Sequence, residues 1–258
     1  MQTIRLIWLG VGLCILGTAI GPVPARADYT PLFSNLSSST FTGFGYTSGS
    51  GAATVGGSLS SVLIADDITA GPGLGGYGVN RIDFTVANLN SVAVSVGVNL
   101  RIFAGDGAGG GPGTLLAGLN FNPSTFAASS INAFSFTSAA SIFTMPSTTF
   151  WAALSFNNFG GSTGVTAAQL NNLGMGLFDP PTVGSSQDVF FQSSAASLGN
   201  TSNPAGGFYF FGGNPRANFG FAFFTASVVP EPPSATLAGL AMLALGAFGL
   251  RYRPRIAA

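Results

Sequence analysis

The sequence contains no histidine, no lysine and one cysteine in 258 residues. Without an imidazole a Ser–His–Asp triad cannot be assembled. The single cysteine, Cys14, lies in an N-terminal apolar run, so a zinc site of the usual His/Cys kind is excluded from the rest of the chain. Charge is also scarce: 6% of the residues are charged, against roughly 25% in an average soluble domain. Between Asp28 and Pro230 stand Arg81, Arg101 and Arg216 against seven aspartates, a net charge of −4. Nothing basic is left to neutralise phosphates, which argues against a nucleic-acid partner. The same stretch has no glutamate, so the paired carboxylates of a glycosidase could come only from aspartates. Asp66 and Asp67 are adjacent, and on a strand they point to opposite faces. These absences predict a non-enzymatic protein with no cofactor and no metal.

What the sequence has in quantity is phenylalanine, 24 residues, and glycine, 38. A chain this rich in apolar rings has enough surface to bury and is not a disordered one. Its first segment, "MQTIRLIWLGVGLCILGTAIGPVPARADYT", joins Arg5, an uncharged apolar run from Ile7 to Ile20 and the small-x-small triplet Ala25-Arg26-Ala27. This is the order of a secretory signal peptide, residues 1–27, with cleavage after Ala27. Pro22, Pro24 and Arg26 break the run before it reaches the length of a membrane span. Cys14 reads as a small hydrophobe within that run.

From 28 to 228 the dominant period is two. In "SVAVSVGVNLRIFA" (91–104), Val92, Val94, Val96, Val98, Leu100 and Ile102 share one face. Ile82, Phe84 and Val86 alternate with polar residues in 81–87, Phe150, Ala152, Leu154 and Phe156 do so in 148–156, and Phe219, Phe221 and Phe223 in 218–224. Each pattern predicts a strand with one buried face. Weaker strands are expected at 59–64, 114–121, 131–136, 174–178, 188–192 and 207–211, separated by Gly, Pro, Asn and Ser turns. The fold class expected is all-β, a jelly-roll-like β-sandwich, with one short helix within 164–174. In "DGAGGGPG" Asp106 is a lone carboxylate among glycines; a calcium loop recruits several, so the stretch reads as a turn. Trp151, on the face opposite Phe150 and Leu154, is a lone aromatic that reads first as a core residue and otherwise as a platform for stacking against a sugar.

The segment "VVPEPPSATLAGLAMLALGAFGLRYRPRIAA" (228–258) has three parts in order. Pro230, Glu231, Pro232 and Pro233 are non-helical. Ser234 is a fitting N-cap, and Ala235 to Leu250 follow without a charge. Sixteen residues at helical rise give about 24 Å, a thin span that a snorkelling Arg251 lengthens. Arg251, Arg253 and Arg255 then hold the end of the chain in the cytoplasm as a stop-transfer cluster. The alternative reading of this segment is a plain C-terminal anchor without processing.

This tail, 229–258, resembles the PEP-CTERM sorting signal of Gram-negative-type bacteria: motif at 229–232, transmembrane helix at 235–250, Arg-rich tail at 251–258. The resemblance implies an exosortase-like processing enzyme as partner, with Pro230, Glu231 and Pro232 as its recognition residues. It also implies passage through the inner membrane to the cell surface or extracellular matrix. The body looks like the Gly/Ser-rich β-domains found ahead of this signal; "RIFAGDGAGGGPGTLLAG" (101–118) is similar to a turn segment recurring there, and implies no activity. The expected function is that of an exported, non-enzymatic surface or matrix protein, the alternative a carbohydrate-binding or adhesion module that meets extracellular polysaccharide.

Overall fold

The alternation seen in the sequence is realised as sixteen strands among the described residues, 28–36, 41–47, 51–198 and 203–227 of the computed structural model. They are β1 Asp28–Ser34, β2 Phe41–Thr47, β3 Ala53–Val55, β4 Ser58–Ser60, β5 Ile64–Ile68, β6 Gly78–Val79, β7 Arg81–Asn88, β8 Val94–Ala104, β9 Leu115–Phe126, β10 Ser130–Thr137, β11 Phe143–Thr144, β12 Phe150–Asn157, β13 Leu173–Phe178, β14 Phe190–Ser193, β15 Gly206–Tyr209 and β16 Phe221–Ser227. The predicted signal peptide (1–27) and sorting tail (229–258) lie outside the described residues. Among the described residues no helix is long and apolar enough to cross a membrane.

Two large antiparallel sheets carry the unit Asp28–Ser227. One has the order β1-β16-β7-β13-β2, with β10 on the other side of β7. The larger has the order β15-β14-β5-β12-β4-β3, with β8 beside β12 and β9 beside β8. The pairings nest: β8·β9 lies inside β7·β10, then β6·β11, β5·β12, β2·β13 and finally β1·β16. These six pairings nest as the layers of one long hairpin; β6·β11 forms a small sheet of its own, and the local hairpins β3·β4 and β14·β15 extend the larger sheet.

The inner faces of the two sheets meet in one apolar core. Ile82, Phe84 and Val86 of β7, Met175 and Leu177 of β13, and Phe221 and Phe223 of β16 come from the first sheet. Val94 to Ile102 at alternate positions of β8, Phe150, Ala152, Leu154 and Phe156 of β12, and Phe190 of β14 come from the second. Rings fill the space between the layers edge to face: Phe150 and Phe143 lie 5.5 and 5.9 Å from Phe223, at 77° and 85°. Such packing adds to the area each ring buries.

The strong alternations became strands with small shifts. Val92, expected on the buried face of 91–104, is 51% exposed, because β8 begins only at Val94 and Val92 sits in the turn before it. The strand expected at 218–224 starts at Phe221, although Phe219 is still fully buried. The run 59–64 splits: Ser58–Ser60 is β4, and Ile64 opens β5. The short helix expected within 164–174 is α1, Ala167–Asn171, started by a capping box between Thr166 and Gln169, which satisfies two of its free N–H groups.

Candidate functional site

Strand β12 organises the outer face of the larger sheet. Its inward residues enter the core, and its outward residues are Trp151, Ala153, Ser155 and Asn157, a run from aromatic to amide. The register extends that gradient sideways. Trp151 faces Asp67 of β5 and Phe103 of β8. Ala153 faces Ala65 and Arg101, Ser155 faces Asn99, and Asn157 faces Ser60 of β4. The outer face is therefore apolar at the Trp151 end and polar at the Asn157 end.

The apolar end is covered by two elements. Leu63, Ala65, Phe103, Trp151, Ala153 and Phe191 form a second buried cluster. The β14–β15 hairpin lays Phe208 over it, 5.8 Å from Trp151 and 5.7 Å from Phe191. The glycine-rich turn after β8 closes the other side: the Trp151 indole N–H donates to the Gly110 carbonyl at 2.9 Å. Gly109 and Gly110 sit at φ 65° and 81°, a conformation in which a side chain is strained. Asp106 holds the base of this turn. Its two oxygens accept from the Thr114 N–H and hydroxyl, each at 2.6 Å, and these bonds pull its pKa below the usual carboxylate value. The loop has a structural use for its carboxylate. No group of three or more His, Cys, Asp or Glu is placed to hold a metal among the described residues.

Trp151 is 3% exposed. Covered by Phe191 and Phe208, it offers no open ring face, and it acts as the floor beneath other aromatics. The open faces belong to Phe208 and Phe210, 38% and 70% exposed. Between the hairpin and the glycine turn runs a groove of about 820 Å³, lined by Trp151, Phe208 and Phe210 together with Thr148, Thr149, Gln187 and Asp67. The sequence run "GFYFF" (207–211) concealed this division, because every residue after the glycine is aromatic and alternation leaves no mark.

Asp66 and Asp67 point to opposite faces, as their adjacency requires. Asp66 is fully buried and joins the sheets: its Oδ2 accepts from the Phe219 N–H at 2.8 Å and its Oδ1 from the Ser186 hydroxyl at 3.1 Å. Burial, with the neighbouring Asp67 charge, holds its pKa well above the ordinary value. Asp67 opens onto the groove. Its Oδ1 accepts from the Gln187 N–H at 3.0 Å, and burial pushes its carboxyl up to about 6 despite that bond. The groove thus joins an ionisable acceptor, an amide and two hydroxyls to exposed rings in one lining.

At the polar end, Ser60, Ser61, Asn99, Arg101, Ser155 and Ser193 line a pocket of about 90 Å³. Beside it Asn99, Asn120 and Asn157 share a cleft of about 340 Å³ with Phe121 and Phe159. The sorting residues Pro230, Glu231, Pro232, Arg251, Arg253 and Arg255, and the cleavage residues Ala25 and Ala27, lie outside the described residues.

The chain matches no family model and no curated protein. Among solved structures it is similar to a point mutant of a carbohydrate binding module family 29, at 12% identity over 51% of this chain and 88% of that one, with a TM-score of 0.20. At that score the likeness carries no argument.

Proposed function

We propose that this chain is an exported, non-enzymatic protein of the bacterial cell surface or extracellular matrix, sorted through its C-terminal tail, and that its β-domain binds polysaccharide there. The groove supports the binding half of this reading. A sugar ring has an apolar face and a hydroxylated rim. Phe208 and Phe210 suit the face, and Asp67, Gln187, Thr148 and Thr149 suit the rim. The nested pairing supports a jelly-roll-like winding for the domain that carries it. The order of Pro-Glu-Pro, apolar run and arginine cluster supports the sorting half, with an exosortase-like enzyme as the processing partner and the inner membrane as a transient station.

Two measurements test this. Protein recovered from the surface fraction is expected to begin at Asp28 by N-terminal sequencing; a surface protein that begins at Met1 rules out signal-peptide cleavage. Binding to the organism's own exopolysaccharide is expected to be saturable and to weaken roughly tenfold in Phe210→Ala, a loss within the range of one stacked ring. Phe210 makes little of the fold, so the melting temperature should stay within a degree or two of wild type. Unchanged affinity in Phe210→Ala would remove the groove from the reading.

A further inference from the structure

The three arginines of the β-domain differ in how their charge is met. Arg81 gives its Nε–H and an Nη2–H side by side to the two oxygens of Asp83, at 2.8 and 2.6 Å, and its guanidinium lies over the rings of Phe224 and Tyr29 at 4.8 and 5.6 Å. Arg216 is exposed to solvent. Arg101 is half-buried, yet Arg81–Asp83 is the one ion pair among the described residues. Its bonds go to neutral acceptors: Nη1 donates to the Leu100 and Leu119 carbonyls at 2.9 and 3.0 Å, and Nη2 to Asn120 Oδ1 at 2.7 Å. These leave the Nε–H and one Nη2–H without a partner among the described residues. Burial alone, with no nearby carboxylate to offset it, lowers the Arg101 pKa.

A cation taken part-way out of water without a counter-charge is costly, and here the surroundings are built around it. The residues opposite Arg101 on either side are Ala153 and Gly118. A Cβ at Gly118 would meet Arg101 Cδ at 3.4 Å and Nε at 3.5 Å, an ordinary contact, so the Arg101 side chain lies along β9 over Gly118. The pocket that Arg101 shares with Asn99, Ser60, Ser155 and Ser193 measures about 90 Å³. That is room for about three waters at liquid density, or for one carboxylate group. Its lining supplies hydroxyl and amide groups and no negative charge.

We propose that this pocket receives the carboxylate of an acidic sugar in the polysaccharide that the domain binds. The inference rests on the polysaccharide reading above and adds a ligand class to it. A planar guanidinium fork matches a planar carboxylate, and serine hydroxyls complete its shell. The neighbouring cleft with Asn99, Asn120 and Asn157 and the exposed ring of Phe159 takes the ring of that sugar. About 13 Å of strand separates Ser155 from Trp151, so one oligosaccharide lying along β12 reaches both the pocket and the groove. With its net charge of −4 the domain has no long-range pull on a polyanion; recognition is local, at Arg101.

The test uses the full chain and three probes: polygalacturonate, its methyl ester and dextran sulfate. Wild type is expected to bind polygalacturonate ten- to a hundredfold more tightly than the ester, as a charge-assisted contact predicts, and more tightly than dextran sulfate. Arg101→Gln is expected to bind acid and ester with equal affinity. Since Arg101 also ties β8 to β9, Ser155→Asp serves as a second variant. It keeps the arginine and supplies a carboxylate from within, and should abolish the preference without lowering the melting temperature. Phe210→Ala should weaken acid and ester alike. Equal binding of acid and ester by wild type overturns the carboxylate pocket and leaves the polysaccharide reading standing. A preference for dextran sulfate overturns the carboxylate in favour of a sulfate ester. Binding to none of the three overturns this proposal, whereas the polysaccharide reading is judged separately on the native exopolysaccharide.

Discussion

The melting temperature of the protein is expected to rise, by about 4–8 °C, as the pH is lowered from about 7.5 to about 4.5. Most proteins lose stability in this direction because paired carboxylates become protonated. Here the two aspartates of β5 reverse the sign. The folded-state pKa of Asp67 is raised to about 6 and that of Asp66 is raised well above the ordinary value, in both cases mainly by burial. A carboxyl whose pKa is raised on folding holds its proton more tightly in the native state. Its stabilising share is complete below the unfolded pKa and is lost as pH rises through the folded one. For Asp67 that window runs from the ordinary carboxylate value to about 6. The gain across the stated range is about 2 kcal/mol, and Asp66 adds in the same direction at higher pH. Asp106 acts oppositely, because Thr114 lowers its pKa; its contribution fades only below the ordinary carboxylate range. Asp67→Asn resembles the protonated carboxyl. It should therefore melt above wild type at pH 7.5 and converge with it near pH 4.5, which differential scanning calorimetry reads directly. A variant that tracks wild type at every pH would take Asp67 out of this account.

Glu231→Ala is expected to leave export intact and to stop release from the inner membrane altogether. On the proposed sorting route the signal peptide drives translocation, and the apolar run with its arginines halts it; neither step involves Glu231. Recognition of Pro230-Glu231-Pro232 does. Its carboxylate stands between two prolines, and on this route a processing enzyme reads that one negative charge. The variant should accumulate in the inner membrane at unprocessed mass, while wild type appears shortened by roughly 25–30 residues, about the length of a span with its flanks. If both retain Arg251–Ala258 by mass spectrometry and fractionate alike, the tail is an ordinary anchor and the sorting proposal fails, with the β-domain unaffected.

Strands whose two faces differ in polarity were legible. β7, β8 and β12 alternate because one face enters the core and the other does not. Strand β5 was legible only at Ile64, the end of the run expected at 59–64: its "IADDI" buries all five residues, so it shows no alternation, and what holds two buried aspartates there is visible only once the groups that bond to them are known. Those groups, Ser186, Gln187 and Phe219, stand more than a hundred residues away. β1 was hidden by Pro31, which it tolerates because β1 is an edge strand and its pairing with β16 shifts register between Pro31 and Phe33. The site followed the same logic. Trp151 was visible as an outward aromatic, and its covering by Phe208 was not, since that depends on how a distant hairpin folds across the sheet. Arg101 stood out only as one of three cations; its lack of a counter-charge is a property of the assembled face.

The nested winding sets a schedule for the growing chain. The first strand of the domain has the last as its partner, Asp28 opposite Ser227, so until synthesis reaches that residue β1 is a strand edge with nothing to bond. The innermost pair, β8·β9, can close early and locally, and each later pair must wait for the one inside it. Pairs so far apart in sequence carry the largest loop-closure cost, so the outer layers are expected to form last. The same closure brings residues 28 and 227 together on neighbouring strands, so a short linker joining them, with new ends cut into the exposed turn at Gly160–Gly161, should give a permuted domain that completes its outermost layer first.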